Sequence, residues 1–230
     1  MNQDFDRFAK DYREVHTKNI RHVAGADSFY FAEYKVLEVK KYEQDEHLQI
    51  LDLGCGDAVT DLFFNRHFPH FQITGIDVSG ESIAVATQKN IGNAVFQTYD
   101  GKKIPFADEQ FDIVFMAGVL HHVAIDQQQN LVAEAARVLK PTGRLYIFEH
   151  NPFNPLTRYL VNSCEFDKGV QLLPSKKTNV LIVKSGLKVS DVKYLIFFPR
   201  SSFFKLFHRI EKYLQNWPVG GQYFIRAIKT

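Results

Sequence analysis

The chain has 230 residues, 45% hydrophobic and 23% charged, an ordinary globular composition with enough length for a sizeable core. Its 28 basic and 26 acidic residues leave a net charge of +2, too even for a dedicated nucleic-acid binder. Two cysteines, Cys55 and Cys164, exclude a disulfide scaffold, and no apolar run approaches the roughly 18 residues of a membrane helix.

The polar start Met1-Asn2-Gln3-Asp4 is no secretory leader, so a reduced, cytoplasmic setting is expected. Residues 1–47 carry helical periodicity and no strand-like run. Phe5, Phe8, Ala9, Tyr12 and His16 share one helical spacing, and Phe31, Tyr34 and Leu37 share another. Two helices are expected, divided near Gly25-Ala26-Asp27-Ser28, with Asp27 or Ser28 capping the second.

From residue 48 the pattern alternates. Strands are expected at 48–53, 71–76, 94–99, 111–116 and 144–149. Between them lie a helix at 60–67, one capped by Ser79, and one carrying Leu131, Val132, Ala135, Val138 and Leu139. Asp126-x-x-Gln129 resembles a capping box for the last of these, and Lys140-Pro141-Thr142-Gly143 stops it. Such alternation predicts a doubly wound α/β fold with a parallel sheet. After Glu149 the pattern loosens into the turn-rich Asn151-Pro152-Phe153-Asn154-Pro155. A helix at 176–185, a strand at 187–198, a helix at 203–214 and a strand at 222–228 complete the chain. No linker marks a second domain, so 1–47, 48–150 and 151–230 are three segments of one.

The sharpest local signal is Ile50-Leu51-Asp52-Leu53-Gly54-Cys55-Gly56-Asp57-Ala58, a strand running into Gly-x-Gly and a helix start. A nicotinamide dinucleotide would want a third glycine where Val59 stands, and Asp57 is a poor neighbour for pyrophosphate. S-adenosylmethionine has no phosphate and carries two cationic groups, which Asp52 and Asp57 suit better. Asp77, at the second strand's end, can accept both ribose hydroxyls, and Asp100, after the third, can accept from an adenine amino group. Each aspartate alone is more often a cap or a solvated loop residue; three after successive strands argue for a ligand.

Together with Gly75-Ile76-Asp77-Val78-Ser79, Ile104-Pro105-Phe106, Phe111-Asp112-Ile113-Val114, Leu120-His121-His122-Val123 and Leu139-Lys140-Pro141-Thr142-Gly143-Arg144-Leu145, the glycine run resembles class I S-adenosylmethionine-dependent methyltransferases. It is closest to the small-molecule, type 11 group that includes quinone-biosynthesis C-methyltransferases. The resemblance spans roughly residues 45–150. It implies a Rossmann-like, seven-stranded, mostly parallel sheet with a reversed last strand, and an N-terminal helical lid that would bring Tyr12 near the cofactor. It implies that Gly54 and Gly56 line the methionine, that Asp52 reaches its amino group through water, and that Asp77 binds ribose with Val78 against adenine. Asp100 and Gly101 would flank the adenine, and Ala117 and Gly118 would approach the sulfonium.

Methyl transfer needs alignment and water exclusion, and a base only where the acceptor must lose a proton. Candidates after strands four and five are His121, His122, Glu149 and His150, with His122 and His150 preferred. A structural histidine signature is an equal reading. Adjacent histidines rarely point the same way and no third ligand has suitable spacing, so no metal is expected. Residues 194–230 hold ten aromatics, about twice the density of the chain as a whole. Phe203, Phe207, Ile210 and Leu214 would form a helical stripe among Lys205, His208, Arg209 and Lys212. Such a helix can rest peripherally on an anionic membrane or pack on the sheet. The expected function is a methyltransferase using S-adenosyl-L-methionine on a small or lipid-like acceptor, not on nucleic acid. The rivals are a non-catalytic adenosyl-binding scaffold and a nicotinamide-dependent oxidoreductase.

Overall fold

A computed structural model describes residues 28–45, 47–164, 169–199, 204 and 206–230. The first expected helix, with Tyr12 and His16, lies outside these residues, as does Phe203. Helix α1 spans Ser28–Lys40 and buries Ala32, Val36 and Val39, while Leu37 stays 41% exposed. The buried face is therefore not the Phe31-Tyr34-Leu37 stripe that spacing suggested. The small and β-branched side chains let α1 lie close on its neighbour.

That neighbour is α2 (Val59–His67), which follows β1 (Gln49–Leu53). Then come β2 (Gln72–Asp77), α3 (Gly80–Gln88), β3 (Ala94–Thr98) and β4 (Phe111–Ala117). Ser79 caps α3 as expected, its hydroxyl accepting from Ser82 N–H at 3.1 Å. Helix α4 (Ile125–Val138) leads into β5 (Leu139–His150). The capping box does not form: the N-cap is Ala124, and the Gln129 amide instead donates to Ser185 Oγ at 2.9 Å and to Leu181 O at 3.3 Å. A tertiary bond outcompetes the local one. Pro141 and Thr142 end the helix as expected but sit inside a bulge of β5, where the register against β4 jumps from Leu139 to Arg144.

Beyond β5, the turn-rich loop opens a helix the sequence reading missed, α5 (Pro155–Ser163). Asn154 caps it, accepting from Thr157 N–H at 2.9 Å, and Pro155 occupies the first turn. Helix α6 (Ser175–Lys184), β6 (Leu187–Leu195) and β7 (Gln222–Lys229) follow. Strand β6 stops three residues early because Ile196 turns to φ 62°. The expected helix at 203–214 is not continuous in the described residues: a 3-10 turn at Phe207–Arg209 gives way to the one-turn α7 (Glu211–Leu214).

The seven strands form one sheet in the order β3-β2-β1-β4-β5-β7-β6. The first five are mutually parallel, and β7 runs antiparallel to both neighbours. Both faces are covered, so the central strands are mostly apolar, with Asp52 and Glu149 as buried exceptions. On one face Leu51, Leu53, Val114, Met116, Leu145 and Ile147 pack with Leu131, Val132 and Ala135 of α4. On the other, Ile50, Ile113, Phe115, Tyr146 and Phe148 meet α1 and α2. Each such fully buried side chain contributes about 1.5–3 kcal/mol. The strand order reverses between β1 and β4, which opens a crevice at their carboxyl ends.

Candidate functional site

At the end of β1, Gly54 takes φ +82° and Gly56 φ +54°. A Cβ on Gly54 would meet Val119 Cγ2 at 2.5 Å, so only glycine passes this close to the β4 loop. Gly54 N–H and Cys55 N–H donate to Ile76 O at 2.8 and 3.1 Å. Asp77 fixes the loop from the other side: Oδ2 accepts from Gly56 N–H and Oδ1 from Ser79 N–H, both at 2.9 Å. Its carboxylate is aimed and rigid before any ligand arrives. Val78 and Gly101 adjoin, since a Cβ on Gly101 would sit 3.1 Å from Val78 Cγ1. Asp100 is exposed, and its Oδ1 accepts from Lys102 N–H at 2.8 Å and Lys103 N–H at 3.0 Å, which hold the carboxyl below its usual range.

The acidic residues of the loop differ in role. Asp57 faces Lys89, whose Nζ lies 3.1 Å from Oδ2 and also bonds Asp57 O, so its charge is balanced internally. It is therefore less available to a cationic ligand than the sequence suggested. Asp52 is buried, and the sequence reading overlooked its partner, Asp61 on α2, which is fully buried. Burial pushes both carboxyls up, and their mutual contact adds to the rise at Asp52. Asp61 reaches about 7. Burial also pushes the Cys55 thiol well up, beside Asp61 and Asp52, so it is no nucleophile.

A cavity of about 260 Å³ opens between the ends of β4 and β5, α1, α5 and the segment after β6. Cys55, Asp57, Ala117 and Gly118 line its donor side; Phe148, Leu160, Val161, Phe197 and Phe198 line the other. His122 and His150 both line it, and so does His121. The 3-10 turn Leu120–His122 brings the adjacent ring centroids to 4.1 Å, tilted by 43°, and the His121 ring centroid lies 5.3 Å from that of His150. Adjacent histidines here do point the same way, contrary to expectation.

His121 is buried, and its Nδ1–H donates to Glu149 Oε2 at 2.6 Å. Glu149 Oε1 accepts from Val119 N–H at 2.9 Å and Leu120 N–H at 2.7 Å. Burial pushes the Glu149 carboxyl up, but the His121 charge, its hydrogen bond and the Leu120 N–H outweigh that and hold it below its usual range. While ionised, Glu149 orients His121 and stabilises a proton on it. Lys35 on α1 also lines the cavity, and burial pushes its ammonium down to about 8 against the pull of Glu149 and Asp52. Neither feature was singled out as a preferred site residue from the sequence. Among the described residues no group of three or more His, Cys, Asp or Glu is arranged to hold a metal ion.

Asn151-Pro152-Phe153 is a clamp. Asn151 Nδ2–H donates to Gly220 O at 2.7 Å and Pro218 O at 3.1 Å, and Thr157 Oγ1–H donates to Gly221 O at 2.9 Å. These bonds fix α5 beside β7.

The donor set fits a cationic adenosyl ligand. The open space around Gly56 admits it. Asp52 and Asp61 lie buried nearby, on β1 and in the first turn of α2.

Residues 51–147 match the family model described as a methyltransferase domain. A ubiquinone/menaquinone biosynthesis C-methyltransferase of Desulfotalea psychrophila is 34% identical over 105 residues, 45% of this chain and 42% of that one. A demethylmenaquinone methyltransferase of Thermotoga maritima is 32% identical over 106 residues, 46% of this chain and 45% of that one. The chain thus spans under half the length of either relative. Among solved structures, a SAM-dependent methyltransferase of Thermotoga maritima superposes with a TM-score of 0.72 at 18% identity, covering 100% of both chains.

Proposed function

We propose, starting from the methyltransferase-domain match over residues 51–147, that the protein is a class I enzyme that transfers a methyl group from S-adenosylmethionine to a small, quinone-like acceptor. The observation that carries this reading is the glycine turn locked by Asp77, opening onto a cavity closed by the His121–Glu149 pair. The bound cofactor would supply an activated methyl carbon, displaced in line. Gly54, Gly56 and Asp52 hold its methionine end, Asp77 its ribose, Val78, Asp100 and Gly101 its adenine, and Ala117 the approach to the sulfonium. Phe148, Phe197 and Phe198 exclude water and stack a flat, apolar acceptor. His121, backed by Glu149, takes the proton of an acceptor hydroxyl. His122 and His150 lie within its reach as partners in that transfer, and Lys35 faces the oxyanion that results. The names of the two relatives point to the same acceptor class.

The decisive experiment incubates the protein with methyl-labelled cofactor and a panel of demethylated quinols and naphthols. Label should enter an aromatic acceptor and not DNA or RNA. Tight NAD binding without adenosyl-ligand binding would sink the reading.

Asp77→Ala should weaken binding of the demethylated cofactor by about 1.5–3 kcal/mol, or roughly 10- to 150-fold, since a charge-assisted acceptor disappears and the glycine loop loosens. Calorimetry that finds unchanged affinity would reduce Asp77 to a loop brace.

A further inference from the structure

We infer that the cavity rim, formed by α5 with its preceding loop and by residues 206–219, docks on the surface of an anionic lipid bilayer. These two short segments carry nine of the sixteen exposed large apolar side chains among the described residues. Elsewhere such side chains are scattered, which is normal; this concentration is not. The segments form one surface, because Asn154 Nδ2–H donates to Val219 O at 2.7 Å and Asn151 bonds Pro218 O.

The surface has the chemistry of an interface with lipid. Tyr159, Tyr213 and Trp217 are more than half exposed, and such amphipathic rings settle at headgroup depth. Leu206 and Phe153 supply purely apolar contact. Arg158, Arg209 and Lys212 are exposed beside them. The only described carboxylate of the two segments, Glu211, is buried; its Oε1 accepts from Phe197 N–H and Phe198 N–H, both at 3.1 Å. Every exposed charge among the described residues of this face is therefore positive, which suits anionic headgroups. That same bond ties residues 206–219 to the cavity wall at Phe197 and Phe198, so the docked face adjoins the cavity. No described helix is long and apolar enough to cross a membrane, so contact is confined to the surface. The docking stands independently of methyl transfer; only its purpose, delivery of a lipid-like acceptor, rests on the function proposed above.

Trp217 is the chain's only tryptophan and reports directly. The full chain is mixed with phosphatidylcholine vesicles, with and without about one third phosphatidylglycerol. Emission should shift to shorter wavelength with the anionic vesicles alone. Co-sedimentation should fall at least about tenfold in the double variant Arg209→Glu, Lys212→Glu, and similarly in Leu206→Ser, Tyr213→Ser. Both variants should bind the demethylated cofactor normally, which shows an intact core. An unshifted emission with either vesicle, or an equal shift with both, would overturn the inference. So would a solution dimer that the same substitutions dissociate, since the surface would then bind a second copy.

Discussion

Replacing Glu149 with alanine should destabilise the protein by about 3–5 kcal/mol, a fall of roughly 10 °C in Tm. The side chain is buried and accepts three hydrogen bonds: Val119 N–H, Leu120 N–H and His121 Nδ1–H. Truncation leaves two backbone donors and one imidazole without that acceptor, and each buried orphan costs about 1–3 kcal/mol. The loop that carries His121 and His122 then loses its anchor. Glu149→Gln separates structure from chemistry. Its carbonyl oxygen still accepts from both backbone groups, so the stability loss should shrink to about 1–2 kcal/mol. Its amide N–H₂, however, can only donate to His121 Nδ1, which must then be the unprotonated nitrogen. His121 can no longer carry a proton on both nitrogens beside an anion. Turnover should collapse in the glutamine variant while the fold and cofactor affinity survive. Denaturant titration of both variants checks the first half, and labelled-cofactor assays the second. An alanine variant within about 1 kcal/mol of the parent would show that Glu149 anchors nothing.

Asp61→Asn should stabilise the protein above pH 8 by about 2 kcal/mol, or roughly 4–8 °C. Asp61 is fully buried beside Asp52, and burial raises its pKa from 3.8 to about 7. Between these values the folded state keeps a proton that the unfolded chain has released. The sign follows: the stability contribution is complete below about pH 4, declines as pH rises, and is gone above about pH 7. Asparagine removes the titration and can donate to Asp52. Against this stands the loss of an acidic residue from the first turn of α2, about 0.5 kcal/mol, which is the smaller term. Thermal melts from pH 4.5 to 8.5 should show the parent losing more stability than the variant, in which only Asp52 of the pair still titrates. Parallel curves would mean that the two carboxyls do not share a burial penalty.

The sheet was legible in the sequence because its strands are buried on both faces and read as short apolar runs. Leu51-Asp52-Leu53-Gly54 announced both the first strand and its ligand loop, since glycine at φ +82° has few substitutes. The site was half legible. Asp77 stands out by its spacing from Gly56. His121 does not stand out from His122, because only the 3-10 turn decides which ring meets Glu149. Asp61 reads as an ordinary polar residue in a helix until α1 and β1 close over it. Lys35 was hidden for a related reason: α1 is only weakly amphipathic, so its inward face could not be read from spacing. The C-terminal helix was wrongly expected from its aromatic stripe. Glu211, at the point where that helix would run on, instead turns inward and binds the backbone after β6.

The strand order has a consequence for the way the chain comes off the ribosome. Strand β7 lies between β5 and β6, although β6 precedes it in sequence. Until residues 222–229 emerge, β6 has no partner and β5 presents an open edge. The nascent domain can therefore assemble its cofactor half, β1 to β5, long before the acceptor wall exists. In that interval the unpaired backbone of β5 is a template for a neighbouring nascent chain. The buried Tyr223, Phe224 and Ile225 arrive after the other six strands and close that edge. A cell that makes this protein quickly would need a holdase most in the interval after β6 is made and before β7 has emerged.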